Sequence, residues 1–288
     1  DMMDLEIVKL IQSFRNPFFD WFFYITTQIG DQYVFIAIAV ILYWTVSKKF
    51  AHKFVFAFMF SAALNVGVKE IFQRPRPYAY PGVTTEPSWM TTGYAFPSGH
   101  AQAAGVLGYT ALHAAKKTPY RFLKPIGIAI MILVPLSRVY LGQHFISDVI
   151  VGLVLAIVMT HYTFKLVDLM KDDEHIYTLM LAPVFIALLF LVKNHDLYIA
   201  AGGFVGFAVG YYLEKRFVQF DVKAVLWIQI IKVIVGLAIA LLIKEGFKMI
   251  FPDRLFFDFV RYLLIGVWAA LGAPYVFKHG ISILQKKL

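Results

Sequence analysis

At 288 residues, 60% of them hydrophobic and 16% charged, with a mean hydropathy of +0.69, the chain is too apolar for an ordinary soluble domain and reads as an all-α, polytopic helical membrane protein. Its formal charge of +9 would suit an acidic partner in a soluble protein, but loops obeying the positive-inside rule account for most of it, so nucleic-acid binding is not implied. Cysteine is absent, which excludes a disulfide framework, a Cys-based zinc site and a thiol nucleophile.

The first stretch, Leu5 to Phe14, is amphipathic and carries Glu6 and Lys9, so it does not read as a cleavable leader; Asp1 ahead of Met2 looks like an expression remnant. Ten apolar runs follow, at 17–30, 33–47, 51–72, 98–115, 123–142, 145–168, 176–193, 196–213, 222–247 and 255–277, and each is a candidate span because a helix needs about 20 residues to cross a bilayer. The run at 17–30 is short, carries Asp20 and Gln28, and could instead join the amphipathic stretch as an interfacial helix. Little chain is left over for an extramembrane domain.

Cationic side chains fall in alternate loops: Lys9 and Arg15; Lys48, Lys49 and Lys53; Lys116, Lys117, Arg121 and Lys124; Lys165 and Lys171; Lys215, Arg216 and Lys223; Lys278, Lys286 and Lys287. That side is expected to be cytoplasmic. The opposite, outer side then holds Gly30-Asp31, the long loop 73–97, the junction at 142–145, the turn 193–196 and the stretch 248–254. The 73–97 loop, rich in Pro, Gly, Thr and Tyr, has the length to cap an outward-facing pocket.

Chemistry concentrates at that outer side. Lys69 and Arg76 flank a turn stiffened by Pro75 and Pro77, and a lysine point charge beside an arginine fork suits a tetrahedral dianion. Taken alone they also read as snorkelling anchors, as Arg74 does. Pro97-Ser98-Gly99-His100 opens a span with a capping serine, a glycine that lets backbone approach an anion, and a histidine placed to exchange a proton. Ala101, Ala103, Ala104 and Gly105 point to close helix packing. Arg138 ends one span and His144 begins the next, with Gly142 allowing the turn between them. His144 and Asp148, four apart, share a helix face, so the carboxylate is expected to accept one ring proton and leave the other nitrogen for substrate. A buried, satisfied His–Asp pair is the alternative. A fainter echo of Lys69-Glu-Ile-Phe at Lys244-Glu-Gly-Phe lacks any partner motif and reads as coincidence or a decayed repeat.

Together, Lys69/Arg76/Pro77, Pro97/Ser98/Gly99/His100 and Ser137/Arg138/His144/Asp148 resemble the three signatures of the type 2 phosphatidic acid phosphatase (PAP2) superfamily, without a departure at any motif position. The resemblance covers about residues 15–168 and implies a six-span core, followed by about four further transmembrane helices, with 1–170 as the catalytic part and 171–288 as an extension of unknown role. It implies that His144 attacks phosphorus to form a phosphohistidine, that Asp148 orients it, and that His100 protonates the leaving group. Lys69, Arg76, Arg138 and the Ser98–Gly99 backbone would hold the phosphoryl oxygens. No cofactor or metal is implied, in keeping with the lack of an acidic cluster suited to magnesium. The haloperoxidase branch that shares these motifs is soluble, unlike this chain.

The expected activity is hydrolysis of a lipid phosphomonoester or diphosphate at the outer face of the cell membrane, with membrane lipids as surroundings and a polyprenyl (undecaprenyl) diphosphate favoured as substrate. Phosphatidate, phosphatidylglycerophosphate and sphingoid-base phosphates follow. A lipid-phosphate transporter using the same anion site is the alternative of another class, and it would not require the two histidines and Asp148. In the C-terminal part, Lys232, Asp258 and Arg261 read as an interhelical pair or as anchors.

Overall fold

The computed structural model describes residues 2–85, 91 and 93–285, with side chains to residue 280. Asp1, residues 86–90 and 92 of the long loop, and Lys286 and Lys287 of the charge pattern lie outside the described residues. Twelve helices are present among the described residues: α1 (Met2–Gln12), α2 (Pro17–Gln28), α3 (Gln32–Thr45), α4 (Lys48–Phe72), α5 (Gly99–Ala114), α6 (Leu123–Tyr140), α7 (Ile146–Leu169), α8 (Glu174–Leu191), α9 (His195–Leu213), α10 (Leu226–Ile250), α11 (Leu255–Val267) and α12 (Ala273–Gln285). All ten apolar runs are helical, and no strand occurs among the described residues.

Seven helical stretches are long and apolar enough to cross a membrane, or eight if α2 and α3 act together as one bent element with 48° between them. This is fewer than the ten expected spans. The bend follows from the Gly30-Asp31 break, where Asp31 accepts from the Tyr33 amide (2.8 Å) and starts a new helix. Helix α5, at 16 residues, falls below the crossing length.

The chain forms two compact units, one comprising the residues up to Ile36 and Phe60–Phe164, the other Ala37–Met59 and the residues from Lys165 on. In the first, α6 packs against α5 and α2. Local chemistry sets the helix starts: Asn16 caps α2 by accepting from the Phe19 amide (3.0 Å) ahead of Pro17, and Ser98 caps α5 by accepting from the Ala101 amide (3.3 Å). The small residues of α5 do pack closely: Ala101, Ala103 and Ala104 are buried, and a Cβ on Gly152 of α7 would stand 2.7 Å from the Ser98 carbonyl oxygen. Helix α1 is amphipathic as expected, and its Val8 is fully buried with Ala101, Val139, Phe145 and Val149.

In the second unit α9 lies along α11 at backbone contact. A widened, π-type turn over Trp268–Gly272 frees carbonyls, and those of Ala269 and Ala270 accept from the Trp44 indole (2.8 Å) and the Tyr43 hydroxyl (3.1 Å). Lys232 is buried and donates to the carbonyls of Trp44 (2.8 Å), in the last turn of α3, and of Val222 (3.0 Å). Asp258 and Arg261 pair one turn apart on α11, and His195 Nε2 lies 3.4 Å from the same carboxylate.

The α9–α11 contact yields a test. A Cβ on Gly206 would sit 2.1 Å from the Leu263 carbonyl, whereas one on Gly203 meets nothing within 4 Å. Gly206→Ala should cost about 1–3 kcal/mol of stability and Gly203→Ala should cost nothing. Thermal unfolding in detergent measures both, and equal midpoints would contradict the packing.

Candidate active site

The candidate residues gather at one end of the first unit, each delivered by a helix terminus. Lys69 lies in the last turn of α4 and Arg76 just beyond it; Ser98, Gly99 and His100 begin α5; Arg138 lies near the end of α6; Asp148 begins α7. Their backbones interlock, since the Ser98 amide donates to the Asp148 carbonyl (3.0 Å) and the Gln143 and His144 amides donate to the Arg138 carbonyl (3.0 and 3.2 Å). Gly142 makes the connecting turn at φ +69°, and a Cβ there would meet the Thr84 carbonyl at 2.2 Å, so glycine is required on both counts.

A strip of backbone just ahead of Ser98 orients the side chains. Arg76 Nε donates to the Gly93 carbonyl (2.9 Å), Lys69 Nζ to that of Tyr94 (2.5 Å), and His144 Nδ1 to that of Ala95 (2.8 Å). Arg76 Nη1 also donates to the Gln143 carbonyl and to His144 Nε2, both at 3.1 Å. A carbonyl only accepts and a guanidinium only donates, so the His144 ring carries its proton on Nδ1 and presents an Nε2 lone pair. Arg138 is buried and donates from Nη1 to Thr27 Oγ1 (2.9 Å), while its Nε has no partner among the described residues. His100 packs where Gly30 leaves room: a Cβ on Gly30 would fall 3.0 Å from the histidine Cβ.

Burial pushes the His144 ring well below the ordinary imidazole value, and Arg76, Arg138, Lys69 and His100, in that order, add to the effect. The ring is therefore neutral near neutral pH. Five of the eight expected residues, Lys69, Arg76, Arg138, His100 and His144, act on one another electrostatically, while Ser98 and Asp148 join through their backbone bond and Gly99 through the α5 terminus.

Two expectations need correction. Asp148 does not hydrogen-bond the His144 ring: Nδ1 lies 3.6 Å from its Oδ2 and bonds the Ala95 carbonyl instead, because the loop backbone reaches the ring first. Asp148 is fully buried and accepts from the Phe145 amide (2.8 Å), capping α7, and from Arg74 Nη1 (2.6 Å). Arg74 is thus no snorkelling anchor. It bridges Asp148, Ser147 Oγ (2.7 Å) and Asp4 (2.9 Å), with its guanidinium 4.1 Å above the Phe145 ring. The Arg-Pro-Arg-Pro tandem was the available signal for Arg74. Thr27 and the Ala95 carbonyl had none, since no spacing rule links them to residues over forty positions away.

Residues 50–171 match the family model described as PAP2 superfamily, and residues 198–282 match the one described as PAP2 superfamily phosphatase, transmembrane extension. Human sphingosine-1-phosphate phosphatase 2 is 23% identical over 219 residues, which cover 70% of this chain and 54% of that protein. An undecaprenyl-diphosphatase from Sulfolobus acidocaldarius is 29% identical over 153 residues, 53% of this chain and 72% of that one. The crystal structure of a transmembrane PAP2 type phosphatidylglycerolphosphate phosphatase from Bacillus subtilis shares the fold, with a TM-score of 0.51 at 24% identity over 59% of this chain and 87% of that chain. The chain thus spans little more than half the length of the human relative.

The tautomer deduced for His144 is directly measurable. With histidine labelled in 15N, His144 in the ligand-free protein should remain neutral, with Nδ1 protonated, through the pH range in which an ordinary imidazole takes up its proton. A titration midpoint at or above the ordinary imidazole value would overturn the assignment.

Proposed function

Because the chain belongs to the PAP2 superfamily, carrying both its domain and its transmembrane extension, we propose that it is an integral-membrane phosphatase that hydrolyses a lipid phosphate through a phosphohistidine intermediate. The observation that carries this reading is the neutral His144 ring, whose Nε2 lone pair faces Arg76 amid further fixed cations. A phosphate dianion entering among Lys69, Arg76 and Arg138 offers Arg76 a stronger, charge-assisted partner than a neutral ring nitrogen. Arg76 then leaves Nε2, and the lone pair is exposed to phosphorus.

In the first step the Nε2 lone pair forms the N–P bond, the P–O bond to the departing lipid or lipid phosphate breaks, and the departing oxygen takes a proton from His100, whose protonated form the incoming dianion favours. In the second, His100 accepts a proton from water as that water attacks phosphorus, the N–P bond breaks, and inorganic phosphate leaves. Arg76, Arg138, Lys69 and the Gly99 amide at the start of α5 stabilise the charge on the transferring group, the Ser98 amide being held by the Asp148 carbonyl. The ring becomes cationic as the N–P bond forms, and the Asp148 carboxylate at 3.6 Å favours that state through space.

As substrate we favour a polyprenyl diphosphate, supported by the archaeal relative of whose length the match covers 72%. A sphingoid-base phosphate is the second reading, supported by the human relative whose match covers 70% of this chain and so reaches beyond the core. We place the site at the extracytoplasmic face of the cell membrane, on the alternation of cationic loops, which holds if the short helices α2, α3 and α5 each cross. Residues 1–170 would then do the chemistry, with 171–288 as an extension whose role stays unassigned.

Purified protein should release phosphate from at least one of a panel of polyprenyl, glycerolipid and sphingoid phosphates, in chelator and with inhibition by vanadate, and His144→Ala should abolish release. Binding without turnover would favour transport, and a fully active His144→Ala protein would sink the mechanism. Arg138→Lys, which loses the planar fork, should lower kcat/KM by about tenfold or more; a near-wild-type rate would remove Arg138 from the phosphate site. Asp148→Asn should lower kcat far more than it raises KM, and equal loss in both would contradict a role confined to the cationic ring.

A further inference from the structure

Helix α1 precedes every motif residue, yet one of its faces reaches three of the fragments that build the site. Asp4, Val8 and Gln12 are spaced four apart and share that face. Asp4 Oδ2 accepts from Arg74 Nη2 (2.9 Å) and from Ser147 Oγ. Val8 is fully buried among Ala101, Val139, Phe145 and Val149, which flank His100, Arg138, His144 and Asp148. Gln12 Nε2 donates to the carbonyls of Thr84 (2.7 Å), which lies against Gly142, and of Tyr140 (3.0 Å), two residues before it.

Arg74 lies between two carboxylates. Its Nη1 donates to Asp148 Oδ1 and its Nη2 to Asp4 Oδ2, so one guanidinium is shared. Burial opposes the charge on Asp4, but the bonds from Ser147 and Arg74 outweigh it and lower its pKa below the usual carboxylate value. An arginine held by Asp148 alone would cancel that carboxylate's field at the His144 ring. With Asp4 taking the other half of the fork, the three groups keep a net negative charge beside the ring.

We propose that α1 is a working part of the site and that Asp4 and Arg74 are positioning residues, which hold the Asp148 carboxylate in place and preserve its negative field at His144. The inference rests on the proposed phosphatase reading, because that field matters when the ring turns cationic. Its effect falls on turnover and not on substrate binding.

The test uses the full-length protein and the best substrate of the panel. Asp4→Asn should lower kcat about five- to tenfold and leave KM within about twofold, while Asp4→Glu, which keeps the carboxylate, should recover most of the loss. Arg74→Lys should lower kcat similarly, and Asp4→Asn on top of it should add little, since the two act as one unit. In the ligand-free protein the His144 15N resonances should move in Asp4→Asn and stay unchanged in Glu6→Gln, an exposed position on the same helix. Wild-type kcat in Asp4→Asn, additive losses in the double variant, or no recovery in Asp4→Glu would each overturn the proposal. If the wild-type protein turns over no substrate, the phosphatase reading fails, and an unmoved His144 resonance in Asp4→Asn would still refute the relay by itself.

Discussion

The carbonyls of Gly93, Tyr94 and Ala95 accept from Arg76, Lys69 and His144, and the geometry of the site depends on that strip of backbone. In a mostly apolar helix bundle a cation or an imidazole needs a fixed polar partner, because an unmet buried donor costs about 1–3 kcal/mol and a charge costs more. The strip supplies three such partners in a row. It is anchored in turn, since the Ala95 amide donates to the Arg74 carbonyl (2.8 Å) and Asn65 of α4 holds the Pro97 carbonyl (3.1 Å). The side chains are thereby set before any anion arrives, as electrostatic preorganisation requires.

Charge is distributed unevenly around this strip. The charges of Lys69, Arg76 and Arg138 act on the His144 ring, Arg76 at its Nε2, whereas Asp148, held together with Asp4 by Arg74, lies nearer its Nδ1. An anion is therefore favoured on the Nε2 side and a cationic ring on the Nδ1 side. Arg138 has a single partner described, the Thr27 hydroxyl, and its Nε adds none among the described residues, which leaves much of its fork for a dianion.

The second unit meets the same constraint by different means. A π-type turn releases carbonyls for Trp44 and Tyr43, and Lys232 donates to the Trp44 carbonyl near the end of α3 with its ammonium 4.8 Å over the Phe220 ring. Glycines on α9 admit the α11 backbone, in the manner of membrane helices that associate through close packing instead of through water exclusion. Two of its ionic pairs, Lys48 with Glu214 (2.8 Å) and Lys215 with Glu174 (2.8 Å), bury their carboxylates inside the unit.

Much of this was legible in sequence, and the part that was not has a consistent cause. Apolar runs, a cap and a turn determined the helices, because hydropathy, Ser98 and Gly142 act over a few residues. Motif spacing determined the roster of cations and histidines, because each motif lies at a helix end where local order dictates position. The runs at α2, α3 and α5 match the ordered helices to within two residues, and what they overstate is the number of spans, since these helices are short. Tertiary structure alone decided what each group bonds: that Ala95, not Asp148, takes the His144 proton, that Arg74 faces inward, and that Asp4 reaches across 70 positions to share it. Hydrogen bonds form at about 3 Å between whatever groups packing brings there, and no local pattern in a chain encodes which distant backbone arrives first.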